Sequence, residues 1–227
     1  MFSADILEIA ITVALVLLST VLHELAHAAT ANALGDPTAK EQGRLTLNPL
    51  AHLDPVGSVV LPLLMAMAHG PIFAFAKPVP YNPNRLRHPI RDEVLVALAG
   101  PACNLVQALV GTLLFGGFQF LAVQTNMEFG IAYAILNTIA TYVYVNLMLM
   151  FFNLIPLPPL DGSAIISPFL RGEARRWYYQ VQRYSLPVLI GIMYLVPMVL
   201  HVNPVAMYIN ATAGNLSNLL LGIWNVV

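Results

Sequence analysis

The chain reads as an all-α polytopic membrane protein, with about five to six transmembrane or half-membrane helices and a small β-hairpin or sheet at the cytoplasmic membrane face. Composition and pattern both predict this. Of 227 residues, 58% are hydrophobic and only 9% charged, against roughly 25% charged in soluble domains. The apolar residues fall in runs long enough to cross a bilayer, which takes about 20 residues. Segments rich in Gly, Asp and Pro separate the runs. The net charge of −1 supplies no basic field for nucleic acid. The single cysteine, Cys103, excludes an intrachain disulfide and reads as a small buried apolar residue.

The first helix is expected at about 5–34, stopped by Gly35-Asp36-Pro37. It lacks a Lys/Arg n-region and a small-residue cleavage site, so it is expected to remain in the mature protein. Residues 57–69 are apolar but too few to span, and Pro62 interrupts them. They fit a re-entrant or half-crossing element. Further helices are expected at about 92–123, 130–155, 185–201 and 204–225. Residues 1–165 are then expected to form the transmembrane core, and 166–227 a cytoplasmic loop with two accessory transmembrane helices.

Two short segments read as strands. Gly43–Asn48 alternates in polarity, and Ile72–Val79 is aromatic and alternates in part. An open edge there would pair with an extended peptide by strand addition; the other reading is a plain hairpin capping the bundle.

Charge placement orients the bundle. All ten basic residues (Lys40, Arg44, Lys77, Arg85, Arg87, Arg91, Arg171, Arg175, Arg176 and Arg183) share one side if 57–69 returns to the side it entered from. Asp5, Glu8 and Glu128 lie opposite. The positive-inside pattern places the N-terminus outside and the large loops in the cytoplasm of a multi-pass protein, expected in the cell membrane.

Inside the first apolar run stands His23-Glu24-Leu25-Ala26-His27. On a helix this spacing puts two imidazoles on one face, where both reach one zinc ion, with the glutamate placed to act on water there. Ionisable groups at membrane depth cost at least about 2.5–3.5 kcal/mol on insertion scales, so the triad marks a functional site. Catalytic zinc usually has a third protein ligand. Asp161 is the outstanding candidate. It follows Pro156, Pro158 and Pro159, which break the helix before it, and unwound backbone at that depth implies protein or a water-filled cavity around it. His52, in the loop after the first helix, is the rival; it could instead be a surface or capping group. His69, His88 and His201 have no partner motif. Asp36 and Asp54 each precede a proline and read as turn formers. Asn104 and Gln107 read first as interhelical hydrogen-bonding groups.

These residues resemble the site-2 protease family of intramembrane zinc metalloproteases. The resemblance rests on His23-Glu24-x-x-His27 in one transmembrane helix and Asn153-x-x-Pro156-x-Pro158-x-x-Asp161-Gly162 closing a later one. Ala99-Gly100-Pro101-Ala102-Cys103-Asn104 is similar to another family segment, and Gly43-x-x-x-x-Asn48-Pro49 to its membrane-associated strand region. The resemblance covers about residues 10–165 and is that of a compact member, without room for PDZ or CBS modules. It implies one zinc per chain on His23, His27 and Asp161, with Glu24 as catalytic base and Asn153 holding substrate or oxyanion. Asn48, His52 and Asn104 are auxiliary candidates.

The expected reaction is hydrolysis of peptide bonds in membrane-spanning substrates by a zinc-activated water, with the lipid bilayer as surroundings and a transmembrane protein as partner. A metal-ion transporter and a catalytically inactive membrane-helix-binding protein are the alternatives. Transporters usually show paired broken helices, and neither alternative needs a base at Glu24. In the last helix, Ala211, Asn215, Asn218, Gly222 and Asn225 form a polar stripe expected to face protein or water, either gating substrate entry or packing statically.

Overall fold

The computed structural model describes residues 2–54, 77 and 79–224. The expected half-crossing element at 57–69, nearly all of the expected strand at 72–79, His69 and Asn225 lie outside them.

The described chain is mostly helical. Helices α1 (Phe2–Ala33), α3 (Pro89–Gln124) and α4 (Phe129–Asn153) are the long ones, and the short α2 (Thr38–Glu41) follows α1. Three helical segments, Ile6–Ala33, Pro89–Gln124 and Phe129–Asn153, are long and apolar enough to cross a membrane. Each boundary has a local cause. Gly35 takes the left-handed φ of +112° that ends α1. Pro89 opens α3 at a position whose N–H would have no helical partner. The Glu128 carboxylate caps α4 by accepting the N–H groups of Gly130 and Ile131, both at 2.8 Å.

Helices α1, α3 and α4 pack side by side. Hydrogen bonds tie Ser19, His23 and His27 of α1 to residues of α3 and α4. Contacts run from His27 with Val96 to His23 with Asn104, so α1 and α3 are antiparallel. Asn104 with Asn146 and Gln107 with Tyr142 make α3 and α4 antiparallel too. The end of α1, the start of α3 and the end of α4 therefore share one end of the bundle. The basic residues belong to the segments attached there.

Beyond α4 come α5 (Asp161–Ile166), α6 (Gly172–Arg183), α7 (Ser185–Ile190), α8 (Val196–Leu200), α9 (Pro204–Ile209) and α10 (Asn215–Gly222). One π-turn joins α7 to α8, at Gly191–Leu195, and another joins α9 to α10, at Asn210–Gly214. His201 at φ +55° ends α8, and Asn203 caps α9 from the Ala206 N–H. The segments Pro187–Leu200 and Pro204–Gly222 meet there at 105°, making a fourth span if the bent pair is one crossing.

A core of Ala108, Val143, Leu147, Met150, Ile209 and Ala213 holds this C-terminal part to α3 and α4. Its packed face is Ile209, Ala213 and Ser217, while Ala211, Asn215 and Asn218 are exposed. The polar stripe thus turns away from the bundle, because the close approach to α4 selects small and branched side chains rather than amides.

No strand occurs among the described residues. Gly43–Asn48 is a turn followed by bends. The reason is local: the Thr46 hydroxyl accepts the Asn48 N–H and the Asn48 side chain accepts the Leu50 N–H, both at 3.1 Å. Side chains that satisfy neighbouring backbone groups compete with a ladder. The Arg44 guanidinium, buried, donates to the carbonyls of Ala51 and Lys77, the latter at 2.6 Å. This loop is thereby fastened to the segment that runs back across α1.

Candidate metal centre

His23 and His27 lie ten and six residues before the end of α1 at Ala33, so about 15 and 9 Å from it at 1.5 Å per residue. Both are buried, at 5% and 9% exposure. Asp161 reaches them from the first turn of α5. Its Oδ2 is 3.2 Å from His23 Nε2, its Oδ1 is 3.3 Å from His27 Nε2, and the two Nε2 atoms are 3.0 Å apart. Among the described residues this is the group of His, Cys or carboxylate side chains that can share an ion.

The arrangement of hydrogen bonds identifies what the group wants. His27 Nδ1 lies 2.6 Å from the Val96 carbonyl, which can only accept, so Nδ1 carries the proton. His23 Nδ1 faces Asn104 Oδ1 in the same way. In a neutral ring with that proton, Nε2 turns its lone pair inward. Asp161 Oδ2 is buried there without a hydrogen-bond partner. The two Nε2 atoms and the Asp161 carboxylate thus converge as a ligand set that suits a cation. A tetrahedral site with about 2.0–2.2 Å bonds has ligand atoms roughly 3.3–3.6 Å apart, slightly more than the 3.0–3.3 Å separations here.

Two glycines permit the close packing around these ligands. A Cβ on Gly100 would lie 2.5 Å from His23 Nε2 and closer still to His27 Nε2. A Cβ on Gly162 would lie 2.5 Å from the Ile155 carbonyl and closer to that of Leu154, in the turn that follows α4. Gly162 is therefore what lets Asp161 turn in under the broken helix.

Glu24 is half-buried, and its Oε2 accepts the Val79 N–H at 3.0 Å. Val79 packs against Ala28 and Ala39. Tyr81, two residues on, packs against Ala31, Leu86 and Val96 and donates to Glu93 at 3.2 Å. The segment 79–82 thus lies along the site face of α1. Asp36 anchors it: fully buried, it accepts the N–H groups of Asn82 and Thr38 and the Thr38 hydroxyl. Burial pushes this carboxyl up, but those bonds and nearby Arg85 more than offset it and hold the group below the usual carboxylate range.

The remaining candidates divide. Asn104 is fully buried and serves His23. His52 is buried elsewhere, its Nε2 on the Thr46 carbonyl at 2.9 Å, and is not in the metal-capable group. Asn48 is exposed and caps the turn Pro49–Ala51. Asn153 donates to the Leu149 carbonyl one turn back, at 3.0 Å. Asp36 accepts from Thr38 as the turn former read in the sequence, but its bond to Asn82 and the role of Gly100 were missed; the Gly100-Pro101 pair inside an otherwise helical run was the available sign for Gly100.

A family model described as Peptidase family M50 matches residues 11–196. The chain belongs to that family. This M50 chain is 37% identical over 199 residues to "Putative zinc metalloprotease YwhC" of Bacillus subtilis (strain 168), covering 85% of this chain and 80% of the relative. It is 32% identical over 178 residues to "Putative zinc metalloprotease Rip2" of Mycolicibacterium smegmatis, covering 78% of this chain and 64% of the relative. The Rip2 protein of Mycobacterium tuberculosis (strain H37Rv) is 31% identical over 182 residues, covering 80% and 65%. The chain thus spans a little under two thirds of the Rip2 proteins. No solved structure matches it. M50 membership bears out the resemblance read from the motifs and the expectation of a membrane metalloprotease that uses zinc.

Proposed function

We propose that this M50 chain is an intramembrane endopeptidase that cuts membrane-spanning proteins, with His23, His27 and Asp161 holding zinc and Glu24 as general base. The observation that supports it most is the convergence of His23 Nε2, His27 Nε2 and the Asp161 carboxylate beneath Gly100, at the depth of a spanning helix. When bound, zinc polarises the scissile carbonyl and lowers the pKa of water toward about 7.

Glu24 takes the proton of the attacking water and delivers it to the leaving amine. The Val79 N–H keeps the Glu24 carboxylate turned toward segment 79–82. A substrate helix hides its carbonyls in its own hydrogen bonds, so it must unwind before attack. Segment 79–82, lying along α1 at the basic end of the bundle, is where we place the unwound stretch. Asn153 can donate to the substrate oxyanion only after its amide leaves the Leu149 carbonyl. The basic end faces the cytoplasm in this reading, with the N-terminus outside. One metal-capable group among the described residues suits hydrolysis better than transport, which needs a second position for the ion to move to.

The test is a single-pass protein with a helix-weakening Gly-Pro in its span, co-reconstituted in liposomes with wild type or Glu24→Gln. The proposal predicts a new fragment with wild type, none with Glu24→Gln and none after zinc chelation. The same fragment from Glu24→Gln would contradict the assigned role.

A further inference from the structure

We propose that Asn146 is a positioning residue for the metal site: acting through Asn104, it holds the His23 imidazole in the tautomer that presents Nε2 to the ion. This rests on the metal-centre reading above.

The direction of the chain of bonds is set at its far end. Asn146, on α4, is fully buried. Its Nδ2 donates to the Tyr142 carbonyl at 2.9 Å and to Ser19 Oγ at 3.0 Å. A backbone carbonyl has no proton to give, so the amino group of Asn146 must face Tyr142 and its Oδ1 must face the other way. That Oδ1 accepts from Asn104 Nδ2 at 3.0 Å. With its amino group committed, Asn104, also fully buried, has only Oδ1 left for His23. A proton on His23 Nδ1 makes this a hydrogen bond; a lone pair there would oppose the Asn104 Oδ1 lone pair between two buried side chains.

His27 obtains the same tautomer from one backbone carbonyl, that of Val96. For His23 the deciding carbonyl is two side chains away and on a different helix. The relay crosses α1, α3 and α4, joining Ser19, His23, Asn104 and Asn146. Partners of this kind typically affect metal affinity by 10–100-fold although they never touch the metal. Interhelical amide bonds in membranes also act as simple glue. The two roles are separable, because glue has no required polarity and the relay does.

The experiment is long-range proton–nitrogen correlation of the zinc-free protein labelled with ¹⁵N-histidine, together with zinc affinity by chelator competition. Wild-type His23 should carry its proton on Nδ1. Asn146→Leu should lose that preference and raise the zinc Kd about 10–100-fold. Asn146→Asp should retain both wild-type properties. Burial favours its neutral acid, which donates to Tyr142 and accepts from Asn104 as the amide does. Ser19→Ala should change neither, since the Tyr142 carbonyl still sets the direction. A wild-type His23 protonated on Nε2 overturns the proposal without any variant. So does Asn146→Leu with unchanged tautomer and affinity, or Asn146→Asp as impaired as Asn146→Leu. Wild type that binds no zinc would overturn the metalloprotease reading instead, while the zinc-free spectrum still decides the relay.

Discussion

The backbone N–H of Val79 donates to Oε2 of Glu24 at 3.0 Å, joining residues 55 positions apart. The bond fixes one carboxylate oxygen of the proposed base and leaves the other for water. Val79→Pro removes the donor between two existing prolines, Pro78 and Pro80, whereas Val79→Ala keeps it and trims only the side chain. A charge-assisted hydrogen bond contributes roughly 1.5–3 kcal/mol. Val79→Pro should therefore slow cleavage about tenfold or more at unchanged zinc content, with Val79→Ala faster than Val79→Pro. Equal rates in the two variants would mean that the N–H has no part in placing Glu24.

Gly100→Ala tests the space at the ligands. Its Cβ would lie 2.5 Å or less from both Nε2 atoms, so the two rings would have to shift out of their converging arrangement. The variant should remain folded, because that face of α3 meets histidine side chains rather than backbone, yet hold little zinc. Metal analysis of the purified variant checks this; one zinc per chain would show that the ion sits elsewhere.

Asp36→Asn should loosen the segment that reaches Glu24. The Asp36 carboxyl is held below its ordinary value in the folded chain. Its ionised form thus stabilises the fold above about pH 4, and the contribution is lost as pH falls through the folded value. At pH 7 the variant should be less stable by about 1–3 kcal/mol, the usual cost of a weakened buried hydrogen-bond set. The gap should close on acidification. Thermal unfolding in detergent at pH 7 and near pH 3 measures both, and a gap that widens at low pH would contradict the assignment.

His52→Ala should keep its zinc. The ring is fully enclosed and bonded to the Thr46 carbonyl, so the loss should appear as a lower Tm from a loosened loop. Loss of zinc with an unchanged Tm would return His52 to the ligand set.

Much of the site was legible in the sequence because its chemistry is written in short spacings. Four residues separate His23 and His27 on one helix, and three prolines announce the break that carries Asp161. The helix ends were legible for the same reason: Gly35-Asp36-Pro37 and Asn203-Pro204 act within a few residues. Contacts between distant segments left no such trace. Asn104 reaches His23 across 81 positions, and Gly100 matters only because α3 passes over the imidazoles. The strand expected at Gly43–Asn48 failed because alternation of polarity does not reveal that Thr46 and Asn48 satisfy the backbone themselves. The stripe of Ala211, Asn215 and Asn218, expected to face protein or water, is exposed, and the face packed on α4 is that of Ile209 and Ala213.

The most direct measurement is zinc per chain in purified wild type, Glu24→Gln and Asp161→Ala. The account predicts about one zinc in wild type and in Glu24→Gln, and loss of zinc in Asp161→Ala with the fold retained. Full zinc in Asp161→Ala would contradict it, since the carboxylate that completes the convergence of His23 and His27 would then not be a ligand.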